Sequence, residues 1–110
     1  MTWFEAFALT LLIEAPAAAL LGLALKLPPL RCALAAVVAS TVTHPILWTI
    51  YPHTYGYFGA FAIPLLEAAV IAAETPAYRM LATPRWIDAA LLSLIVNAVS
   101  WGAGEVIYAV

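Results

Sequence analysis

The sequence predicts an all-α, polytopic integral membrane four-helix bundle built from two similar helical hairpins, and three observations carry that prediction. Hydrophobic residues make up 66% of the chain and charged ones 9%, with a mean hydropathy of +1.03, a balance foreign to soluble domains. The apolar residues gather into spans close to the about 20 residues that a bilayer-crossing helix needs. All four basic residues, Lys26, Arg31, Arg79 and Arg85, fall in the first and third connections between those spans.

Helix one is expected over Trp3 to Leu27. Trp3 and Phe4 sit at headgroup level beside Glu5, and Glu14, Ala18 and Gly22 form a stripe on one face whose small residues allow close helix approach. This span has no basic residue ahead of it and is too long for the apolar core of a signal peptide, so it is expected to stay in the mature protein. The turn Leu27-Pro28-Pro29-Leu30-Arg31 is short, which makes helices one and two antiparallel neighbours. Helix two is expected over Arg31 to Tyr51, with a stripe of Ser40, His44 and Trp48. The uncharged segment from Tyr51 to Phe58 reads as a loop with an interfacial aromatic belt. Helix three is expected over Phe58 to Thr75, ending where Thr75 caps a short surface turn that begins at Pro76. Helix four is expected over Trp86 to Val110, with Asp88 in its first turn and a stripe of Ser93, Asn97, Trp101 and Glu105. Residues 1–110 thus form a single transmembrane domain.

The one-sided distribution of basic residues places both basic turns in the cytoplasm and both termini outside, in what reads as a bacterial inner membrane. Four basic residues cannot form the face that nucleic acid requires, so the lipid bilayer is the expected partner. The lone Cys32 has no second cysteine to pair with and reads as a small buried apolar residue.

Shifting the chain by 53 residues lays Glu14 on Glu67, Lys26 on Arg79, Ser40 on Ser93, His44 on Asn97 and Trp48 on Trp101. That register suggests parallel repeat halves of approximately 1–53 and 54–110. It also marks the candidate site. Counting from the outer helix ends, Glu14 lies about 16 Å deep, Glu67 about 14 Å, His44 about 10 Å and Asn97 about 19 Å. These four form the expected central polar or ion-binding site, supported by Ser40, Thr41, Ser93, Ser100 and Glu74. No lysine or arginine lies at that depth. Buried carboxylates must then be protonated, share a proton, or face a cation. Glu14, His44 and Glu67 are the expected ligands if the cation is a metal ion. Pro16, Pro45 and Pro64 lack an N–H, which frees the carbonyls of Leu12, Thr41 and Ala60 as further expected ligands. Glu74 is expected nearer the cytoplasmic end, within reach of water or Arg79.

The run Thr43-His44-Pro45-Ile46-Leu47-Trp48, with Glu14 upstream and Asn97-Ala98-Val99-Ser100 downstream, resembles a group of small bacterial four-helix membrane proteins with a Thr-His-Pro-x-x-Trp motif. The resemblance spans most of the chain and implies a membrane location without a particular activity. The Glu, His and Asn set also resembles that of the CAAX-type intramembrane proteases, but their paired-glutamate motif is missing. Length and Glu14 resemble the small multidrug resistance transporters. However, their aromatic and glycine pattern is absent from Phe58 to Thr75 and their dual topology conflicts with the charge bias, so homology is rejected.

Three functions remain open on sequence grounds. The first is a central site that binds a cation or exchanges protons, with transport as its wider role, and with bound metal ions or protons in place of an organic cofactor. Four helices leave little room for a pathway, so this reading calls for a homo-oligomer or a larger membrane complex. The second is a structural or accessory subunit whose polar core fixes helix register. The third is an intramembrane hydrolase in which a glutamate activates water while His44 and Asn97 stabilise an oxyanion.

Overall fold

The computed structural model describes residues 2–109. Four α-helices account for almost all of them: α1 (Trp3–Ala24), α2 (Pro29–Phe58), α3 (Ala62–Leu81) and α4 (Trp86–Ala109). Each helix packs on its two neighbours in an antiparallel ring, and the diagonal pairs do not approach closely. The lipid-like composition shows on the outside, where Leu12, Leu30, Val42, Phe61 and Met80 are all more than half exposed. By length and composition the helical segments Trp3–Ala24, Pro29–Leu81 and Trp86–Ile107 are apolar enough to cross a membrane.

The start of α1 is fixed by a capping box. The Thr2 hydroxyl accepts the Glu5 N–H at 3.2 Å, and the Glu5 carboxylate accepts the Thr2 N–H at 3.3 Å. Glu5 therefore closes the helix end. The other end of α1 turns at Lys26, which takes the left-handed region at φ 61°, while Leu27 donates to the Gly22 carbonyl at 2.7 Å and Lys26 to that of Leu23 at 3.1 Å. That pair of bonds is a Schellman termination, which glycine usually provides.

Two expected boundaries are corrected. The segment from Tyr51 to Phe58 is not a loop: α2 continues through Pro52, with Thr49 and Thr54 hydroxyls returning to the carbonyls of Pro45 and Ile50 at 2.8 and 3.0 Å. The chain reverses instead at Gly59, where φ is 58° and a side chain would be strained, followed by a 3-10 turn over Gly59–Phe61. Straight helix across this 53-residue stretch would be about 80 Å long. The longest dimension of the molecule is 41 Å, so the reversal at Gly59 makes two helices of it. At the other boundary, α3 does not stop at Thr75. It runs through Pro76 to Leu81, and the Thr75 hydroxyl donates to the Ile71 carbonyl at 2.8 Å instead of capping a turn. Proline costs one backbone bond in a helix; here the flanking apolar turns keep the helix going.

The core sits toward the basic end and is made largely of small residues: Ala18, Cys32, Ala35, Ala36, Ala82 and Ala89 around Tyr78, Leu92 and Val96. Close approach is real at Gly22, where an added Cβ would stand 2.6 Å from Cys32 Sγ. The buried faces follow simple periods. Glu14, Ala18 and Gly22 are the buried residues of α1, as the sequence stripe predicted, and sixty residues on, Glu74 and Tyr78 are buried on α3 and Ala82 just past its end. On α2 the buried residues Cys32, Ala35, Ala36, Ala39 and Ser40 fall fifty-seven residues on at the buried Ala89, Leu92, Ser93, Val96 and Asn97 of α4, whereas buried His44 falls on exposed Trp101. At these two offsets Glu14 falls on Glu74 and Ser40 on Asn97, all four of them buried.

Candidate functional site

The half of the bundle away from the basic turns holds an open-mouthed cavity of about 610 Å³, where the diagonal helices stand apart. Its floor is a polar layer. Ser40 on α2 donates to the Glu14 carboxylate on α1, its Oγ lying 3.1 and 3.3 Å from the two oxygens. Glu74 on α3 is held from two sides: Asn97 Nδ2 on α4 donates to one carboxylate oxygen at 2.8 Å, and Thr43 Oγ1 on α2 lies 2.6 Å from the other. Both glutamates are 2% exposed. Asn97 also donates to the Ser93 carbonyl at 2.8 Å, and the Ser93 hydroxyl donates to the Ile71 carbonyl at 2.7 Å, locking α4 against α3.

Thr43 carries a further constraint. Its oxygen is 3.0 Å from the Ala39 carbonyl as well as 2.6 Å from Glu74, and a hydroxyl has one proton to give. Both contacts are hydrogen bonds at once only when Glu74 brings a proton of its own. When Glu74 is ionised, Thr43 must turn to it and release the Ala39 carbonyl.

Above the floor, Glu67 lines the cavity from α3, half-buried and without a side-chain hydrogen bond among the described residues. The walls toward the chain termini include Trp48, Tyr51, Ser100, Trp101 and Glu105, and Trp101 Nε1 donates to the Glu105 carboxylate at 3.2 Å. Among the described residues no lysine or arginine lines this cavity.

His44 also lines it but is held differently from the expectation. Its ring is enclosed by aromatics, with centroids 5.2 Å from Phe7, 5.8 Å from Trp3 and 5.9 Å from Trp48, and its buried Nε2 has no hydrogen-bond partner among the described residues. It shares no hydrogen bond with a carboxylate among the described residues. The expected metal set of Glu14, His44 and Glu67 is not assembled, since among the described residues no three His, Cys, Asp or Glu side chains are grouped to hold a metal ion. The geometric reason is that His44 turns toward the aromatic rings of α1.

Of the expected site residues, the structure brings Glu14, His44, Glu67, Asn97, Ser40, Ser100 and Glu74 onto the cavity wall. Ser93 is buried behind it. Thr41 lies on the exposed face, where its hydroxyl donates to the Val37 carbonyl at 2.6 Å. The proline-freed carbonyls also belong outside: Pro16, Pro45 and Pro64 are exposed, and so are Leu12, Thr41 and Ala60. Glu74 is not a cytoplasmic-end residue satisfied by Arg79 but the best-connected group of the floor. Thr43 and Thr10 are hydroxyl-bearing wall residues absent from the expected site, and Leu47, Ile63, Leu66 and Val70 add apolar wall. Thr43 was findable, because it lies three residues after Ser40 on the same helix face.

Protein-family profiles, curated proteins and solved structures yield no match to this chain.

Proposed function

We propose that this chain is an integral membrane protein whose acid-lined cavity takes up a cation in exchange for protons. The observation that carries the reading is the placement of Glu14, Glu67 and Glu74 on one cavity of about 610 Å³ with no basic residue on its wall. Carboxylates in an apolar bundle need a proton or a cation, and a cavity lets either one enter and leave. Thr43 supports the exchange, since its single proton serves Glu74 in one protonation state and Ala39 in the other. The cavity volume suits a small organic molecule. Its aromatic residues Trp48, Tyr51 and Trp101 suit an ammonium or guanidinium group, which ring faces attract. An organic monocation therefore fits better than a bare metal ion.

In this reading the basic turns face the cytoplasm and the cavity opens outward, between the ends of the helices that carry both termini. The chain is a duplication of two hairpins, each opposing a Glu-x-Pro-Ala carboxylate on its first helix to a polar residue on its second: Glu14 to Ser40, and Glu74 to Asn97. Transport would use a second copy or a larger complex to complete a path. A purely structural polar core is the competing reading, favoured by the bonds that hold Glu14 and Glu74. Glu67 separates the two, because a carboxylate serving only as glue would have a partner.

The test is thermal unfolding of the detergent-purified chain against tetraalkylammonium and guanidinium compounds, monovalent and divalent metal ions, and pH. Binding stabilises by about 2.7 kcal/mol at a hundredfold excess over Kd. Stabilisation by an organic cation that Glu67→Gln abolishes supports the proposal. Identical responses of wild type and Glu67→Gln to every cation and pH refute it.

A further inference from the structure

The four basic residues at the opposite end of the bundle are not equivalent. Arg85 is engaged by Asp88, with Nε 3.8 Å from Oδ2. Lys26 is exposed on its left-handed turn. Arg31, in the first turn of α2, and Arg79, in the last turn of α3, instead line a second cavity of about 200 Å³ together with Met80, Thr83 and Pro84. Among the described residues no carboxylate lines it.

Arg79 is fixed in place yet unsatisfied. Its guanidinium carbon stands 5.5 Å from the centre of the Trp86 ring, an arrangement that orients the charged plane. Its Nε is buried and finds no acceptor among the described residues. A buried, charged N–H without a partner is rare in folded proteins and points to an absent acceptor. Thr83 adds a second free donor: it is 4% exposed, it accepts the Arg85 N–H at 3.2 Å, and among the described residues its own hydroxyl proton goes to no side chain or carbonyl. Two guanidinium groups and a hydroxyl around a space without carboxylates match the oxygens of a phosphate group, which arginine binds through paired N–H bonds.

We propose that this pocket binds the phosphate of an anionic phospholipid. The lipid is favoured over free phosphate because the surroundings are apolar and open. Met80 on the pocket wall is 76% exposed, Leu30 beside Arg31 in the chain is 84% exposed, and Trp86 is 59% exposed. An acyl chain covers such surface and a free anion does not. Basic pockets between helices at the cytoplasmic side are where anionic headgroups are found. The proposal rests on the membrane reading above and is independent of the cation cavity at the other end.

The experiment titrates the detergent-purified full chain with phosphatidylglycerol, phosphatidylcholine and inorganic phosphate, reading the thermal midpoint. Phosphatidylglycerol is expected to raise the midpoint of wild type and Lys26→Gln alike, and its apparent affinity is expected to fall about five- to tenfold in Arg31→Gln and Arg79→Gln. Arg31 is exposed, so Arg31→Gln keeps the test valid if loss of the Trp86 contact unfolds Arg79→Gln. Equal stabilisation by both lipids, or equal weakening in Lys26→Gln and Arg31→Gln, overturns the pocket. A rise with inorganic phosphate that matches phosphatidylglycerol overturns the lipid in favour of free phosphate. A chain that stays monodisperse without detergent overturns the membrane reading itself, whatever the lipids do.

Discussion

Glu14 and Glu74 stand sixty residues apart, each opening a Glu-x-Pro-Ala tetrapeptide and each 2% exposed on the inner face of its helix. They differ in their support. Glu14 is approached by a single hydroxyl, that of Ser40, whereas Glu74 joins α3 to both α2 and α4 through Thr43 and Asn97. The polar floor is therefore asymmetric, with its mechanical centre at Glu74.

That asymmetry sets an order of stability effects. Glu74→Ala removes two interhelical hydrogen bonds, each worth about 0.6 kcal/mol on average and up to about 1.7 kcal/mol in membrane bundles, so a loss of about 1–2 kcal/mol is expected. Glu67→Ala removes none and should change stability by less than about 0.5 kcal/mol. Glu14→Ala should fall between them. Unfolding titrations in mixed detergent micelles measure all three, and a Glu67 effect as large as that of Glu74 would contradict the assignment of the floor.

The connection between α1 and α2 offers a stabilising change. Lys26 holds φ 61°, a region in which a side chain is strained, and its backbone closes the Schellman turn. Lys26→Gly should stabilise the bundle by about 0.5–1 kcal/mol, since the relief of strain exceeds the added freedom of the unfolded chain. The measurement is the unfolding midpoint. A lower midpoint for Lys26→Gly would mean that the lysine side chain contributes more than its backbone costs.

The tight contact of α1 and α2 should be equally measurable. A Cβ at Gly22 would meet Cys32 Sγ at 2.6 Å and Cys32 Cβ at 3.2 Å. Gly22→Ala should cost about 1–3 kcal/mol through overpacking. Cys32→Ala removes the sulfur and should recover much of that loss in the double variant, giving a coupling energy well outside the range of independent sites. Additive effects of the two changes would show that the helices do not meet here as described.

Much of this architecture was legible from composition and spacing, and the failures have identifiable causes. The Glu14, Ala18 and Gly22 stripe was readable because one helical period governs burial on α1. The ends of α2 and α3 were not, because Pro52 and Pro76 look like helix breakers in a sequence, whereas apolar helices carry proline inside them and the chain turned where Gly59 allowed a positive φ. Reading Pro76 as a stop also put Glu74 near a helix end, in a supporting place beside water or Arg79, and not at the centre of the floor where Thr43 and Asn97 hold it. The direction of His44 lay beyond sequence reasoning, since it depends on which rings of α1 reach it.

His44 supplies the last expectation. Its Nε2 is buried without a partner among the described residues, and Trp3, Phe7 and Trp48 surround the ring. Replacing an unsatisfied polar ring by an apolar one of similar shape removes a desolvation cost while keeping the packing, so His44→Phe should be neutral or stabilising by up to about 1 kcal/mol. His44→Ala deletes the ring and should cost about 2 kcal/mol or more from the cavity left among the aromatics. Cation-dependent stabilisation should survive in His44→Phe and vanish in Glu67→Gln. If His44→Phe instead loses the cation response while keeping its fold, the imidazole belongs to the binding site and its Nε2 is the acceptor that the ligand uses.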